Sequence, residues 1–223
     1  MFFRVSYPLY FKGKLQRTNY TNLFGFELTI PPTVFHPGLF FSTKILGKYL
    51  MKLRLSGSQI LEMGSGSGLL SLIAAKEGAR VTSVDINPVA VECTKANAAR
   101  NNLTHMLTVI ESDLFSGVAA NARFDYIIWN PPFFPQEPED EAAKAWKVGK
   151  GYRVLSRFAE QAGSYLSPGG RIIMPLSSQL KVEEIVHFFT GFGLQGTPVH
   201  KQRSFFETFT IYEFCKVGRL SGD

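Results

Sequence analysis

The stretch Gln59-Ile-Leu-Glu-Met-Gly-Ser-Gly-Ser-Gly-Leu-Leu-Ser-Leu-Ile-Ala-Ala-Lys76 decides the fold of this chain. Its first five residues form a short apolar run that is typical of a strand, and the apolar residues after Gly68 favour a buried helix. Three alternating glycines, Gly64, Gly66 and Gly68, join the two. A strand, a glycine loop and a helix begin a βαβ unit, and open α/β sheets bind ligands in the crevice at such strand ends.

Outward from this stretch, short β-rich runs alternate with helical patterns, which indicates a mostly parallel sheet covered on both faces. The last run follows a short segment with no room for a crossover helix, so these two are predicted to pair antiparallel. The predicted strands are Gln59–Met63, Arg80–Asp85, Leu107–Glu111, Phe124–Trp129, Arg171–Met174, a segment near Leu194 to His200, and Phe206–Lys216. The predicted helices run from Gly68 to Glu77, Val89 to Asn101, Val154 to Tyr165 and Gln179 to Thr190.

The first 57 residues have a different pattern, with two hairpin-like strands, Tyr7–Lys14 and Phe24–Ile30, and Pro- and Gly-containing turns after them. A helix is predicted from Thr43 to Leu53. We therefore expect an N-terminal β extension over residues 1–57 and a larger α/β domain over residues 58–223.

A glycine-rich loop alone is a weak indication of a nucleotide site, but an acid stands where it strengthens the case. Asp85 ends the next strand, 21 residues after Gly64, where a carboxylate can accept both hydroxyls of an adenosine ribose. The dinucleotide-binding fingerprint requires a glycine or alanine at position 69, which is Leu69 here. The loop is therefore unlike a pyrophosphate cradle.

The loop, with Glu62 before it and Asp85 after the second strand, instead resembles motifs of class I S-adenosylmethionine-dependent methyltransferases. The resemblance implies that Glu62 and the loop hold the methionine part of this cofactor, that Asp85 holds the ribose, and that Asp113 lies at the adenine edge. Asp113 has an alternative role as a helix N-cap. The predicted cofactor-binding residues are Glu62, Gly64, Ser65, Gly66, Gly68, Asp85, Ile86, Asp113, Leu114 and Asn130.

Strand four ends in Asn130, Pro131, Pro132 and Phe133, which are the predicted catalytic residues. An amide or exocyclic amino nitrogen is a poor nucleophile because its lone pair is delocalised. The Asn130 side-chain oxygen and the Pro131 carbonyl could each accept one N–H, and Phe133 could stack on the planar group. This arrangement requires no strong base and predicts N-methylation.

The chain is similar to amino and amide N-methyltransferases of the Asn-Pro-Pro-aromatic type over about residues 33 to 176. The segments Val34–Thr43 and Ala145–Phe158 resemble protein-glutamine methyltransferases that act on translation release factors. Phe133 stands where those enzymes usually carry Tyr, and Phe is also seen in guanine-N2 methyltransferases of ribosomal RNA. The resemblance implies a Rossmann-like class I methyltransferase fold, with a seven-stranded, mostly parallel sheet and one antiparallel C-terminal strand.

Composition excludes several classes of protein. With 223 residues, 45% hydrophobic and 19% charged, the chain is neither disordered nor a disulfide scaffold. Its longest apolar run is too short to cross a membrane, and no signal peptide is evident, so a cytoplasmic location without membrane association is expected. Its two cysteines and four histidines are dispersed, so no metal site is predicted.

The positive charge is concentrated at the N-terminus. Residues 1–60 contain eight Lys or Arg and one acid, a net +7, whereas the remainder is close to neutral. This distribution suggests an acidic macromolecular partner, and a solvated basic face is the alternative. The expected substrate is RNA or a protein of translation, either a translation factor or a ribosomal protein.

Two other functions stay open at this stage. The first is a catalytically silent module that binds S-adenosylmethionine or RNA, with Asn130 to Phe133 only a rigid turn. The second is a nicotinamide-dependent oxidoreductase, which the position of the third glycine disfavours. The sequence does not identify the methyl acceptor or the oligomeric state.

Overall fold

The computed structural model describes residues 17–132, 152–204 and 207–217. An N-terminal hairpin comes first, followed by alternating helices and strands. The strands are β1 (Asn19–Leu23), β2 (Phe26–Ile30), β3 (Gln59–Met63), β4 (Arg80–Asp85), β5 (Leu107–Glu111), β6 (Phe124–Trp129), β7 (Leu166–Ser177), β8 (Leu194–Arg203) and β9 (Thr208–Lys216). The helices are α1 (Phe41–Leu50), α2 (Leu69–Lys76), α3 (Pro88–Arg100), α4 (Arg153–Ala162) and α5 (Val182–Gly191).

Seven strands form one sheet in the order β5-β4-β3-β6-β7-β9-β8. Strands β3 to β7 pair in parallel, and β9 lies antiparallel to both β7 and β8. The predicted fold is therefore confirmed, including its single antiparallel strand. Because β3, β4 and β6 are adjacent and parallel, their carboxyl ends meet at one edge of the sheet.

Alternate residues of the strands pack into two cores, one on each face of the sheet. Helices α1, α2 and α3 and strand β2 cover the first face, around Ile60, Ile128, Ile173 and Ile211. Helices α4 and α5 cover the second face, around Leu61, Ile127, Ile172 and Phe214. All eight of these strand residues are essentially inaccessible to solvent.

The N-terminal hairpin is joined to α3 by two asparagines that continue its hydrogen bonding. The side-chain amide of Asn97 accepts from the backbone N–H of Thr29 and donates to the carbonyl of the same residue. Asn101 makes the same pair of bonds with Glu27, one turn further along the helix. The outer edge of β2 is thus satisfied by side chains where a third strand would otherwise pair.

Several element boundaries differ from the predicted ones. The predicted strand from Phe24 begins at Phe26, because Phe24 and Gly25 form a tight turn with φ of 54° and 81°. Its partner β1 was not predicted, since its sequence Asn-Tyr-Thr-Asn-Leu is mostly polar. The predicted strand Tyr7–Lys14 lies outside the described residues, and the boundary between residues 57 and 58 stays a prediction.

The helix boundaries also shift by a few residues. Helix α1 begins two residues earlier than predicted, at Phe41. It ends at Leu50, three residues before the predicted end, because the N–H groups of Lys52 and Leu53 form turn-type hydrogen bonds to the carbonyls three residues before them. Helix α4 ends at Ala162, where a 3-10 turn replaces its predicted last residues. Helix α5 begins at Val182, because the hydroxyl and carbonyl of Ser177 cap a turn ahead of it.

Strand β7 is much longer than the predicted Arg171–Met174, because the Pro-Gly-Gly segment before it joins the strand. A Cβ at Gly170 would lie 2.8 Å from the carbonyl oxygen of Phe124, so only glycine permits this approach. Among the described residues, no helix is both long and apolar enough to span a bilayer.

Candidate functional site

A cavity of about 320 Å³ lies at the sheet edge where β3, β4 and β6 end. Its floor is formed by the loop after β3, its sides by the residues after β4 and β5, and its mouth by the segment before α1 and the first turn of α4. A volume of this size suits a small molecule or a nucleoside-containing cofactor. It coincides with the crevice in which open α/β sheets bind ligands.

The glycine loop adopts a conformation that other residues rarely adopt. Gly64, Gly66 and Gly68 have φ of 69°, 53° and 78°, in the left-handed region that lacks a steric penalty only for glycine. A Cβ at Gly68 would also lie 2.8 Å from the Cγ2 atom of Thr94. The loop is held from β4 by the carbonyl of Val84, which accepts from Gly64 and from the next residue.

Glu62 lies at the end of β3 and is 2% exposed. Its carboxylate accepts hydrogen bonds from the backbone N–H and the hydroxyl of Ser71, in the first turn of α2. Burial raises the pKa of Glu62 to about 8, although the bonds from Ser71 oppose this rise. The side chain therefore lines the cavity as a group that gains or loses a proton near neutral pH.

Asp85 ends β4 and fixes the shape of the loop from the neighbouring strand. One carboxylate oxygen accepts from the N–H of Gly66 at 2.8 Å and the other from the N–H of Asn87 at 2.9 Å. Burial raises the pKa of Asp85, while the backbone donors lower it. Each oxygen retains a lone pair for a further donor, such as a hydroxyl in the cavity.

Asn130, at the end of β6, has its amide fixed on one side. Its Nδ2 atom donates to the hydroxyl of Thr43, in the first turn of α1, at 3.0 Å. Its Oδ1 atom is buried, and no donor within residues 17–132, 152–204 and 207–217 reaches it. Because a buried acceptor without a donor costs roughly 1–3 kcal/mol, this atom indicates a group that the cavity is built to bind.

Asp113 forms an ion pair with Arg157 at the rim of the cavity. The guanidinium Nη2 of Arg157 lies 2.9 Å from a carboxylate oxygen, and both side chains are about half exposed. The alternative role of Asp113 as a helix N-cap is wrong, because turns follow it. Two wall residues, Thr33 and Leu114, have positive φ of 71° and 52°, a strain that often accompanies binding sites.

The structure brings most of the predicted site residues together. Those that line the cavity are Glu62, Gly64, Ser65, Gly66, Asp85, Ile86, Asp113, Leu114, Asn130 and Pro132. Gly68 and Pro131 do not line it, and Phe133 lies outside the described residues. Gly68 supports the loop through its contact with Thr94, and Pro131 is buried.

Other wall residues were not among the predicted site residues. They come from elements distant in sequence, and the main ones are Thr33, Thr43, Asn87, Ser112, Trp129, Arg153 and Arg157. The prolines and aromatic residues between positions 31 and 41 are the signal that could have pointed to the first of them, because such loops often border ligand sites.

Comparison with a family of known proteins identifies the fold. The methyltransferase small domain family matches residues 26–194, which is most of the chain. The matched range includes all the described residues that line the cavity. This chain belongs to that family. Of the alternatives weighed from the sequence, membership decides for a methyltransferase over a nicotinamide-dependent oxidoreductase.

The names of the similar proteins give two kinds of methyl acceptor, protein glutamine and RNA. A protein of Methanocaldococcus jannaschii, named provisionally as a protein N5-glutamine methyltransferase, is 36% identical over 72% of this chain and 80% of its own length. The human methyltransferase HEMK2 is 33% identical over 73% of this chain and 80% of its own. The T. thermophilus 16S rRNA N2 G1207 methyltransferase, solved with AdoMet and guanosine, has a TM-score of 0.63 and 25% identity over 90% of this chain and 50% of its own.

The cofactor of this methyltransferase is S-adenosylmethionine. The wall residues suit it, because the carboxylate of Asp85 faces the cavity beside Ile86, which leaves 43% of its surface exposed as an apolar platform for a ring. Which residues hold each part of the cofactor stays a prediction.

Proposed function

We propose that this chain transfers a methyl group from S-adenosylmethionine to a planar amide or exocyclic amino nitrogen. The observation that carries the proposal is the buried Oδ1 atom of Asn130, which lacks a donor among the described residues. An acceptor substrate with an N–H bond supplies the missing donor. A hydroxyl or thiol substrate could also donate one hydrogen bond to this atom. Its single proton would engage only one of two acceptors, whereas an NH2 group can engage both.

The chemistry follows from what such a nitrogen needs. Its lone pair is delocalised, so it becomes nucleophilic only when its N–H bonds are held out of the plane of the group. The Oδ1 atom of Asn130 accepts one N–H, and the backbone carbonyl of Pro131 is proposed for the second, although Pro131 is buried and does not itself line the cavity. Bound S-adenosylmethionine would supply an electrophilic methyl group and leave as its demethylated thioether, and the methylated nitrogen would release one proton to solvent. The rate then comes from orientation and fixed dipoles, and no general base with a tuned pKa is required.

The cofactor is assigned to the residues that surround the rest of the cavity. Glu62 and the loop from Gly64 to Gly68 are assigned to its amino-acid part. Asp85 and Ile86 are assigned to the ribose and the ring, and Asp113 with Leu114 to the outer edge of the ring. Support for these roles comes from their positions along the wall, from the end of β3 to the end of β5.

A protein glutamine side chain is the acceptor that we favour. The relatives at 36% and 32% identity are named as glutamine methyltransferases, and the second of them as a release factor methyltransferase, of which this chain covers 56%. The primary amide of glutamine has two N–H bonds on a planar nitrogen, as the two proposed acceptors require.

A base amine of RNA is the second candidate. The T. thermophilus relative acts on ribosomal RNA and was solved with guanosine, whose exocyclic amine also carries two N–H bonds. The net +7 of residues 1–60 favours an acidic macromolecule such as RNA. Both candidates use the same two acceptors, so only the identity of the product separates them.

Transfer of a labelled methyl group tests the proposal. The purified protein is incubated with tritiated S-adenosylmethionine and a lysate from cells that lack it, and the label is separated into protein, RNA, DNA and small molecules. We expect label in protein, released by exhaustive enzymatic proteolysis as N5-methylglutamine and by acid hydrolysis as methylamine, or else in RNA as a base methylated on an exocyclic amine. Label on a lysine, a hydroxyl or a thiol would contradict the proposal.

The Asn130→Ala variant is the matched control in this assay. It should bind S-adenosylmethionine but transfer little label, which separates the activity of the protein from that of residual enzymes in the lysate. An absence of transfer by the unaltered protein to every fraction would favour the silent binding module.

A further inference from the structure

We infer that Thr43 is a positioning residue, which fixes the Asn130 amide at the end of β6 beside the cavity. The inference rests on the proposed function, because it concerns how the proposed N–H acceptor is kept in place. The two residues are 87 positions apart and meet through the bond between Nδ2 of Asn130 and the hydroxyl of Thr43.

The direction of this bond has a chemical consequence. An amide side chain can lie in two orientations that differ by a half turn, with either its oxygen or its NH2 group in the cavity. In the observed orientation the NH2 group donates to the hydroxyl of Thr43, and the oxygen is available to accept an N–H from the substrate. In the reverse orientation the hydroxyl of Thr43 would donate to Oδ1 instead, and the NH2 group would face the donor nitrogen of the substrate. Thr43 therefore fixes the place of the amide, and the N–H of the substrate selects the orientation with the oxygen towards it.

Thr43 can act in this way only if α1 is itself fixed relative to the sheet. At the far end of the helix, the hydroxyl of Tyr49 donates to Glu213 on β9 at 2.9 Å, and Arg171 on β7 pairs with the other oxygen of that carboxylate at 2.8 Å. Burial and the bond to Glu213 raise the pKa of Tyr49 to about 12, so its hydroxyl keeps its proton.

The middle and the start of α1 are also held tightly. Gly47 packs so closely on α2 that a Cβ there would lie 2.9 Å from the Cδ1 atom of Ile73. At the start of the helix, the rings of Phe41 and Phe209 lie 5.8 Å apart. Helix α1 therefore presents the hydroxyl of Thr43, which is 4% exposed, to the end of β6 from a rigid support.

Two substitutions at position 43 separate the hydroxyl group from the shape of the side chain. Thr43→Val keeps the shape and removes the hydroxyl, so turnover should fall by roughly tenfold to a hundredfold, as expected when a reacting group is misplaced. Thr43→Ser restores the hydroxyl and should recover turnover to within about threefold. The Michaelis constant for S-adenosylmethionine should change little, and Ser42→Ala, in the same helical turn, serves as the control for folding.

A double-mutant cycle distinguishes positioning from direct contact, because Thr43 also lines the cavity. If Thr43 acts through Asn130, then Thr43→Val should cost almost nothing further in the Asn130→Ala background. An equal loss in both backgrounds would overturn the inference, since Thr43 would then act on the cofactor or the substrate by itself.

The side-chain NH2 signal of Asn130 in a 15N-correlated NMR spectrum gives a readout without activity. We expect it to be protected from exchange in the unaltered protein and in Thr43→Ser, and to shift and lose protection in Thr43→Val. A signal that Thr43→Val leaves unchanged would overturn the inference. Full turnover in Asn130→Ala would reject the proposed function instead, and the NMR signal would still report whether Thr43 fixes the amide in place.

Discussion

Asp85 shapes the cofactor loop and faces the cavity with the same carboxylate. Both of its oxygens accept backbone N–H bonds from the loop and from the start of α3. A carboxylate is thus held at a fixed point at the end of β4. We expect its remaining lone pairs to accept the ribose hydroxyls, so that loop geometry and ribose recognition depend on one residue.

The variant Asp85→Asn keeps the shape of the side chain and removes its charge. Binding of S-adenosylmethionine should weaken by roughly tenfold to a hundredfold, because a hydrogen bond to a charged group contributes about 1.5–3 kcal/mol. Calorimetric titration measures this change. Asp125→Asn is the matched control, since Asp125 also accepts a backbone N–H, from Gln59, at the opposite end of the sheet. Equal affinities in both variants and the unaltered protein would reject the ribose role.

Glu62 makes stability depend on pH with a defined sign. Because burial raises its pKa to about 8, the folded protein holds the proton more tightly than the unfolded chain, whose value is near 4.5. The stabilisation from this proton is full below about pH 4.5 and is lost as pH rises through about 8.

Chemical denaturation between pH 5 and 9 tests this dependence in the cofactor-free protein. The free energy of unfolding should fall over this range, and Glu62→Gln should remove part of the fall, since it carries no proton to lose. Glu111→Gln, at an exposed position, is the control for removing one carboxylate from the chain. A slope for Glu62→Gln identical to that of the unaltered protein would show that Glu62 ionises as freely as an exposed carboxylate.

At the scale of elements, α3 connects the N-terminal hairpin to the cofactor loop. Asn97 is fully buried, binds Thr29 on β2 and also donates to the carbonyl of Ser67 in the loop at 2.9 Å. Asn101, one turn later, binds β2 through Glu27 and makes its other bond within α3. Both asparagines therefore bind β2, but only Asn97 also binds the cofactor loop.

This difference predicts different effects for two equal truncations. Asn97→Ala should lower the free energy of unfolding by roughly 2–4 kcal/mol, because it strands several buried backbone groups, and should also weaken cofactor binding. Asn101→Ala should cost about 1 kcal/mol and leave cofactor binding unchanged. Denaturation and calorimetry measure both. Cofactor affinity that is unaltered in Asn97→Ala would show that the loop holds its shape without α3.

The elements of the α/β domain could be predicted from the sequence because their signals are local. The apolar run Phe124–Trp129 defines its own strand, which was confirmed, and the helix predicted from Val89 begins one residue earlier, at Pro88. Strand β1 could not be predicted, because its polar residues form a strand only through pairing with β2. The predicted strand Arg171–Met174 did not include the Pro-Gly-Gly segment of β7, which lies at a register shift between the pairs Phe124–Leu166 and Tyr126–Arg171.

The candidate site likewise contains residues that the sequence could place and residues that it could not. Glu62, Asp85 and Asn130 end consecutive strands in the sheet, so a parallel topology was enough to place them at one edge. Thr43 meets Asn130 only because α1 packs on β7 and β9, a tertiary arrangement without a local signal. The partner of Asp113 was likewise unpredictable, since Arg157 reaches it from a helix 44 residues away.

At the scale of the whole molecule, positive charge and the cavity mouth belong to the same part of the chain. Residues 1–60, which carry the net +7, include residues 33 to 43, several of which line the cavity. An acidic macromolecule drawn to this segment would meet the active site. Lys12 and Lys14 lie outside the described residues, whereas Arg17 is exposed.

Salt dependence tests the role of this charge. Activity on the macromolecular substrate should fall by at least about tenfold between roughly 50 and 200 mM salt if several of these residues touch phosphates. Replacing Lys12, Lys14 and Arg17 with Ala should raise the Michaelis constant and flatten the salt dependence, with little effect on turnover at saturation. A matched triple variant loses the exposed Arg80, Arg100 and Arg123 and should behave as the unaltered protein. Salt-insensitive activity would show that the basic segment is a solvated face.

The most direct test of the central claim is the turnover of Asn130→Ala at saturating cofactor and substrate, measured beside its affinity for S-adenosylmethionine. Loss of one oriented acceptor should lower turnover by about two orders of magnitude or more and leave the affinity within a few-fold. Asn121→Ala, at an exposed position, should match the unaltered protein in both measurements. Turnover of Asn130→Ala within twofold of the unaltered protein would contradict the claim and leave Asn130 as a turn residue.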